Sequence, residues 1–172
     1  MKDLDIKWRC FIRSNLVGYE MLKKMKDSGC VEVGIGIESG SQKILDIIKK
    51  DTTVEMNSRV IKMCKEMGLI AKAFIMLGLP GETHETLEET RRWILDNKPD
   101  KYDLTIYMPY AQSEVWDYPE NFDIKFDKDK IKYSWYKGKK GELHCYVSTS
   151  ELNPEDISKF REKVIKEVGF KY

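Results

Sequence analysis

Short apolar runs alternate along the chain with amphipathic segments, and this alternation constrains the fold more than any other feature. Three runs rich in β-branched, aromatic and other apolar residues have the length of strands: 31–37, 69–77 and 102–108. A fourth run, 5–12, alternates less cleanly. Segments with helical spacing of their apolar residues separate the runs. This order predicts an α/β fold with a parallel sheet and right-handed crossovers.

Residues that begin or end helices flank the helical segments. Ser41, Thr53 and Asn153 are predicted N-caps, and Pro154 follows at a first helical position. Gly29 ends the first helix. The helices are expected at about 18–28, 42–50, 54–67, 85–97 and 154–168. Because the apolar strands lack clean alternation, we expect them to be buried on both faces.

After the predicted strand 102–108 the alternation of strands and helices stops. A dense series of Asp and Lys with interspersed Pro and Asn makes this part irregular. Two runs, 133–136 and 142–149, are predicted to pair as a β-hairpin before the last helix. The chain is therefore divided into an α/β unit, residues 1–113, and a C-terminal extension, residues 114–172.

Composition and charge exclude several classes of protein. With 172 residues and 41% hydrophobic content, the chain can bury the core of one globular domain. Lys and Arg number 30 against 29 Asp and Glu, a net charge of +1, so neither nucleic acid nor an anionic membrane is expected as the main partner. No apolar window approaches the length of a membrane span.

Cysteine spacing favours free thiols over a metal or redox site. No pair has the short separation of a zinc knuckle or a redox motif. The four cysteines are Cys10, Cys30, Cys64 and Cys145. Reduced thiols persist in reducing compartments, so a cytoplasmic location is expected. The two histidines, His84 and His144, are too far apart in sequence to predict a metal pair.

Two turns at predicted strand ends are the candidates for function, because ligands of parallel α/β sheets bind beyond the carboxyl ends of the strands. Residues 36–41, Gly-Ile-Glu-Ser-Gly-Ser, place an acid and two hydroxyls before a helix. Residues 78–83, Gly-Leu-Pro-Gly-Glu-Thr, place glycines where backbone can approach a flat ligand. Neither turn has the pattern of a dinucleotide or phosphate loop. Each alone also fits a tight turn in which Glu38 or Glu82 complements a helix dipole.

Together and in this order, the motifs resemble the radical S-adenosylmethionine superfamily. The nearest subgroup contains cobalamin-binding radical enzymes and relatives of the anaerobic magnesium-protoporphyrin ester cyclase. The similar segments are Trp8 to Arg13, Leu22 to Cys30, Val33 to Ser41, Cys64 to Gly68 and Phe74 to Thr83. The resemblance implies a partial TIM-type (β/α) barrel, of which residues 1–113 form the third to sixth strands. The small α/β tail, residues 114–172, would cover the barrel bottom or side.

The resemblance also implies a set of residues that bind S-adenosylmethionine. They are Glu38, Ser39, Lys50, Phe74, Ile75, Gly78, Pro80, Gly81, Tyr107 and Met108. The first two fall where polar side chains hold the ribose hydroxyls, and the third falls where a basic residue meets the methionine carboxylate. Asp51 stands beside it in place of a glycine common in relatives. The segment from Phe74 to Gly81 flanks the adenine, and Tyr107 with Met108 forms the far wall.

Two features depart from the family. The cluster of the family is held by a Cys-x-x-x-Cys-x-x-Cys loop, and this chain has neither that loop nor room for it before Asp5. Residues 109–113, Pro-Tyr-Ala-Gln-Ser, replace the usual proline-glycine-threonine turn. We therefore expect a fragment that is inactive alone, with no catalytic or metal-binding residues of its own. The 4Fe–4S cluster, and cobalamin where it is used, would belong to the parent enzyme.

The expected function is to bind S-adenosylmethionine and, with the missing cluster-binding half, to cleave it reductively to a 5′-deoxyadenosyl radical that acts on an unidentified substrate. One alternative is a non-catalytic half-barrel that assembles with a cluster-bearing subunit. A second is an unrelated hydrolase or transferase with Glu38 or Glu82 as a base, for which the sequence supplies no partner residues.

The expected partners are a small-molecule cofactor and substrate, and either the missing half of the barrel or a second copy bound at the open edge of strand 5–12.

Overall fold

A parallel sheet forms the centre of the computed structural model, which describes residues 6–132 and 144–169. Its strands pair in chain order β1-β2-β3-β4, each parallel to the next. Their bounds are β1 Trp8–Ile12, β2 Cys30–Glu38, β3 Ile70–Leu77 and β4 Lys101–Ile106. The predicted α/β class and parallel sheet are confirmed.

Helices connect the strands, and most of their predicted caps are present. The helices are α1 Tyr19–Asp27, α2 Gln42–Ile47, α3 Val54–Glu66, α4 His84–Asn97, α5 Glu114–Asp117, α6 Lys128–Lys132 and α7 Pro154–Val168, with a 3-10 turn at Pro119–Phe122. The Thr53 hydroxyl accepts the Met56 amide at the start of α3, and Asn153 accepts two amides at the start of α7. None of the helices in the described ranges is long and apolar enough to cross a membrane.

The second helix differs from the prediction at both of its ends. Ser41 occupies the N-cap of α2, but its side chain makes no capping hydrogen bond. The helix ends at Ile47 instead of near residue 50, because Lys49 and Asp51 adopt positive φ angles of 52° and 56°. Non-glycine residues seldom adopt this left-handed conformation, so the sequence carried no signal for the early end.

The helices cover one face of the sheet and leave the other face open. On the covered face, side chains such as Ile35, Ile75 and Leu104 are buried in the core. On the opposite face, along β3 and β4, half-buried residues alternate with them, among them Lys72 and Phe74. The prediction of burial on both faces is therefore wrong for these strands, since they bury only the face that packs against helices. We call the other side of the sheet the open face.

The C-terminal extension packs against β4, α4 and the turn that follows β3. Arg161 Nε donates a hydrogen bond to the Leu104 carbonyl (2.7 Å), and the Thr149 hydroxyl donates to the Glu82 carbonyl (2.8 Å). Apolar residues of the extension join the same core as the sheet: Ile124, Ile131, Val147, Leu152, Ile157 and Val164.

The predicted β-hairpin lies partly outside the described residues. Its first strand, 133–136, is not described, and among the described residues of its second strand, 144–149, Val147–Ser148 form a β-strand, β6. This strand pairs antiparallel with β5, Lys125–Phe126, which precedes the predicted hairpin in sequence.

Candidate functional site

A strained turn at the end of β2 sets the position of Glu38. The Ser39 amide donates to the Ile37 carbonyl at 2.8 Å, which closes a three-residue γ-turn around Glu38. Glu38 has a φ of 62°, and a γ-turn with positive φ at a non-glycine residue is rare and strained. The strand register shifts between Gly36 and Glu38 at the same place. Ile37 thereby stays in the core while the Glu38 carboxylate lies over Gly36 on the open face.

Lys50 forms an ion pair with this carboxylate. Its Nζ lies 2.5 Å from Glu38 Oε1, and the two side chains are 18% and 14% exposed. Both charged groups occupy the space beside Gly36, where an added Cβ would lie 2.8 Å from Glu38 Oε1 and 2.9 Å from Lys50 Nζ. The pair therefore depends on glycine at position 36.

The end of β1 holds the loop that carries Lys50. The Arg13 guanidinium donates a hydrogen bond to the Lys50 carbonyl, and Asn15 Nδ2 donates to the Asp51 carbonyl at 2.9 Å. Arg13 also lies 3.8 Å from the Asp51 carboxylate, an exposed pair that contributes little by itself. These contacts hold the backbone immediately after the Lys50 side chain.

An aromatic surface lies beside the ion pair on the open face. Phe74 of β3 is the register partner of Gly36, and its ring centroid is 5.5 Å from that of Phe11 on β1. Lys72 Nζ lies 5.1 Å from the Phe74 centroid, within the range of a cation–π contact. Tyr107, just beyond β4, is half-buried, and burial raises the pKa of its hydroxyl. The open face thus offers an apolar wall next to a carboxylate at the carboxyl end of the sheet.

Several residues that the resemblance assigned to the cofactor face elsewhere. Ser39 is fully buried, its hydroxyl contacts the Thr90 hydroxyl at 3.1 Å, and it accepts the Ser41 amide. Ile75 is 1% exposed and belongs to the core under the helices. The structure brings Glu38, Lys50 and Phe74 together on the open face and directs the side chains of Ser39 and Ile75 away from it.

The turn after β3 faces the C-terminal extension and α2. A Cβ on Gly78 would lie 2.8 Å from Val147, and one on Gly81 would lie 2.8 Å from Ile47. Both glycines have positive φ, 78° and 72°. Pro80 between them is buried. Met108, at the end of the neighbouring strand segment, is half-buried.

The Glu82 side chain binds the backbone of the same turn. The carboxyl group is fully buried, and its Oε2 accepts the Gly78 amide. Its Oε1 has no hydrogen-bond partner among the described residues. Burial raises the pKa of Glu82 to about 8, against the opposing effect of hydrogen bonds from the Gly78 and Leu79 backbone. A carboxyl group that is largely protonated near neutral pH therefore supports the turn.

Sequence reasoning gave no role to Arg13 or Asn15, included Gly36 only as part of the turn 36–41, and did not predict the burial of Glu82. A glycine inside a strand often marks a close approach of other groups, and this signal could have identified Gly36. The roles of Arg13 and Asn15 depend on contacts 37 and 36 residues away in sequence, which no local pattern reveals.

The described residues do not fit an iron–sulfur cluster. No group of three His, Cys, Asp or Glu side chains within residues 6–132 and 144–169 is arranged to hold a metal ion. Burial raises the pKa of Cys30 to about 11 and that of Cys64 to about 12. Cluster ligands are thiolates, and the burial of these two cysteines disfavours the thiolate form.

Comparison with known proteins agrees with the fold. The family model of the radical SAM superfamily matches residues 2–94. The solved methyltransferase TsrM from Kitasatospora setae, a radical S-adenosylmethionine enzyme with cobalamin and a 4Fe–4S cluster bound, superposes with a TM-score of 0.61 at 16% identity, over 72% of this chain and 26% of TsrM. The four parallel strands with their helices are thus part of a TIM-type barrel.

Two curated relatives are similar in sequence. The anaerobic magnesium-protoporphyrin IX monomethyl ester cyclase of Rubrivivax gelatinosus is 33% identical over 130 residues, 72% of this chain and 23% of the cyclase. An uncharacterized methyltransferase of Pyrococcus horikoshii is 36% identical over 160 residues, 93% of this chain and 33% of that protein. The chain thus spans a third or less of the length of these relatives.

These matches each cover more than half of the chain, and the family model spans both turn motifs. Members of the superfamily use S-adenosylmethionine and a 4Fe–4S cluster in radical chemistry. The chain belongs to the radical SAM superfamily.

Proposed function

We propose that this chain forms the part of a radical SAM enzyme that binds the ribose and adenine of S-adenosylmethionine. The observation that carries the proposal is the Glu38 carboxylate, which the γ-turn holds on the open face at the carboxyl end of the sheet. Lys50 Nζ donates a hydrogen bond to Glu38 Oε1, and Glu38 Oε2 makes no hydrogen bond to any described residue. A carboxylate oxygen in this position is a suitable acceptor for ribose hydroxyls.

The neighbouring side chains suit the flat base of the cofactor. Phe74 supplies an apolar surface one strand away from Glu38, and Tyr107 and Met108 follow on the next strand segment. The Pro80-Gly81 turn lies at the same end of the sheet. In this proposal the residues orient the cofactor and exclude water from one side of it.

The chemistry requires more than the described residues. When bound and reduced by one electron, S-adenosylmethionine supplies the 5′-deoxyadenosyl radical on which the superfamily depends. The thiols of this chain do not fit the cluster that delivers the electron, so we propose that a cluster-bearing segment supplies it and completes the barrel. Because TsrM binds cobalamin, we include cobalamin among the cofactors of the assembled enzyme. We also propose a cytoplasmic location, which the free thiols favour because reduced cysteines persist in reducing compartments.

Titration calorimetry of the full chain with S-adenosylmethionine tests the proposed site. The wild-type chain is expected to bind weakly, because part of the pocket is supplied by the other segment. Replacing Glu38 removes a charged acceptor, so Glu38→Ala is expected to lose about 1.5–3 kcal/mol, or roughly tenfold to a hundredfold in affinity. Glu55→Ala, an exposed glutamate in the first turn of α3, is the matched control and should bind as the wild type does. Equal affinities for Glu38→Ala and the wild type would remove Glu38 from the site.

A non-catalytic role in assembly is the second candidate function. The observation that favours it is the outer edge of β1, which pairs with no strand among the described residues. The coding sequence upstream of Met1 distinguishes the two candidates. A Cys-x-x-x-Cys-x-x-Cys motif in the same reading frame supports the enzyme, and its absence supports assembly with a separate cluster-bearing subunit.

A further inference from the structure

Lys50 directs its charge towards Glu38. The 2.5 Å contact between its Nζ and Glu38 Oε1 lies in a largely buried setting, with both side chains less than one-fifth exposed. A charge-assisted hydrogen bond of this kind fixes both partners more firmly than an exposed pair does. No other ion pair involving Glu38 occurs in the part of the chain that the structure describes.

Hydrogen bonds and backbone conformation hold the loop around Lys50 in the position from which its side chain reaches Glu38. The Lys50 amide donates to the Leu45 carbonyl at 2.9 Å, and the residues on either side of Lys50 have left-handed backbone conformations. Arg13 binds the Lys50 carbonyl and Asn15 binds the next carbonyl. A lysine whose backbone is held at both ends loses less conformational freedom when its ammonium group binds a fixed partner.

The absence of a side chain at position 36 makes room for the ion pair. Glu38 Oε1 and Lys50 Nζ both lie where a side chain at position 36 would stand. With Oε1 bound to Lys50 above this glycine, the second oxygen, Oε2, is left for a ligand. The orientation of Oε2 therefore depends on Lys50.

We propose that Lys50 is a positioning residue that orients Glu38 towards the ribose, and that it does not itself bind the methionine carboxylate of the cofactor. This inference rests on the proposed function of Glu38. Arg13 and Asn15 support it by holding the loop, so the end of β1 contributes to ribose binding without touching the ligand.

Two ligands separate positioning of Glu38 from direct binding of the carboxylate. S-adenosylmethionine carries ribose and methionine carboxylate, whereas 5′-methylthioadenosine keeps the adenine and ribose but has no carboxylate. Calorimetry of the full chain is expected to show that Lys50→Met weakens the binding of both ligands by the same factor, about tenfold. In a Glu38→Ala background, Lys50→Met should cause little further loss, because its effect passes through Glu38. Lys43→Met, an exposed lysine on α2, is the matched control.

Three results would overturn the inference. A loss of affinity for S-adenosylmethionine alone would show that Lys50 acts on the carboxylate, with the proposed function intact. Unchanged binding of both ligands by a folded Lys50→Met chain would show that Lys50 positions nothing. A wild-type chain that binds neither ligand would remove the proposed function and this inference with it. If Lys50→Met unfolds, Lys50→Gln, a neutral polar side chain that cannot form the ion pair, is compared on the same two ligands with the same expected result.

Discussion

Two glutamates at strand-end turns differ in their surroundings. Glu38 lies on the open face with a lysine as partner, whereas Glu82 is fully buried among backbone amides and apolar groups. A carboxyl group without a cation is more stable in its neutral form when it is buried. Glu82 is thus a structural support of the turn, and its protonation affects the stability of the fold.

The free energy of unfolding is expected to decrease as the pH rises from about 4.5 to about 8, in part because of Glu82. In this window the folded chain retains a proton on Glu82 that the unfolded chain has lost. Each pKa unit corresponds to about 1.4 kcal/mol, so the contribution of a shift larger than one unit is measurable by urea unfolding. Glu82→Gln, which cannot ionise, should lack this part of the pH dependence.

Glu85→Gln, an exposed glutamate at the start of α4, is the control for the Glu82 experiment. Urea unfolding of the three chains at about pH 5 and about pH 9 spans the window. If the wild type and Glu82→Gln lose the same free energy between the two pH values, Glu82 is ionised in the folded chain already at low pH.

Residues whose partners are close in sequence were predictable, and residues whose partners are distant were not. The turn motif put Glu38 at the end of β2, where the structure has it, because this position depends only on the local end of the strand. The Ser39 hydroxyl contacts the hydroxyl of Thr90, 51 residues further along the chain. The direction of the Ser39 side chain could therefore not be read from the turn. The Glu82 backbone carbonyl accepts a hydrogen bond from Thr149, 67 residues further along the chain, and this contact also could not be read from the turn.

At the scale of secondary structure, β2 is an element whose glycines serve different purposes. A Cβ on Gly34 would lie 2.6 Å from the rings of Phe11 and Phe74, which pack over it. A Cβ on Gly36 would meet only the flexible ends of Glu38 and Lys50. The first glycine therefore supports packing, and the second makes room for the ion pair.

Gly36→Ala is expected to weaken S-adenosylmethionine binding while leaving the melting temperature nearly unchanged. The added methyl group displaces the charged ends of Glu38 and Lys50, which can move, and so disturbs the proposed ribose contact. Gly34→Ala is the comparison variant, and it should lower the melting temperature because two aromatic rings must shift, at a cost of about 1–3 kcal/mol. Calorimetry and thermal unfolding of both variants measure the two effects. Unchanged affinity in Gly36→Ala would separate the ion pair from ligand binding.

The order of strands and helices followed from the sequence, but one helix end and one strand pairing did not. Caps such as Thr53 and Asn153 are local signals, and the helices begin beside them. The end of α2 depends on left-handed Lys49 and Asp51, and the Asp51 carbonyl accepts a hydrogen bond from Asn15, after the end of β1. The pairing of β6 with β5 brings together strands 20 or more residues apart, which local turn chemistry cannot indicate.

At the scale of the whole molecule, the two edges of the sheet differ in what packs against them. The described part of the extension packs against β4 and α4, where Arg161 binds a carbonyl of β4. The outer edge of β1 has no strand partner in the described ranges, and Phe11 beside it is 76% exposed on the open face. Unpaired backbone groups on an edge strand are a template for pairing with another chain.

We therefore expect the chain to form a dimer or larger assembly at micromolar concentration, or to remain soluble only with a cluster-bearing segment that pairs with β1. Sedimentation velocity over a concentration series measures the association. Phe11→Asp places a charge on the exposed strand and should shift the equilibrium towards monomer, whereas Leu16→Asp, an equally exposed apolar residue after the strand, should not. A wild-type chain that is folded and monomeric at every concentration would show that the β1 edge is protected by other means, and the proposed assembly through it would then lose its basis.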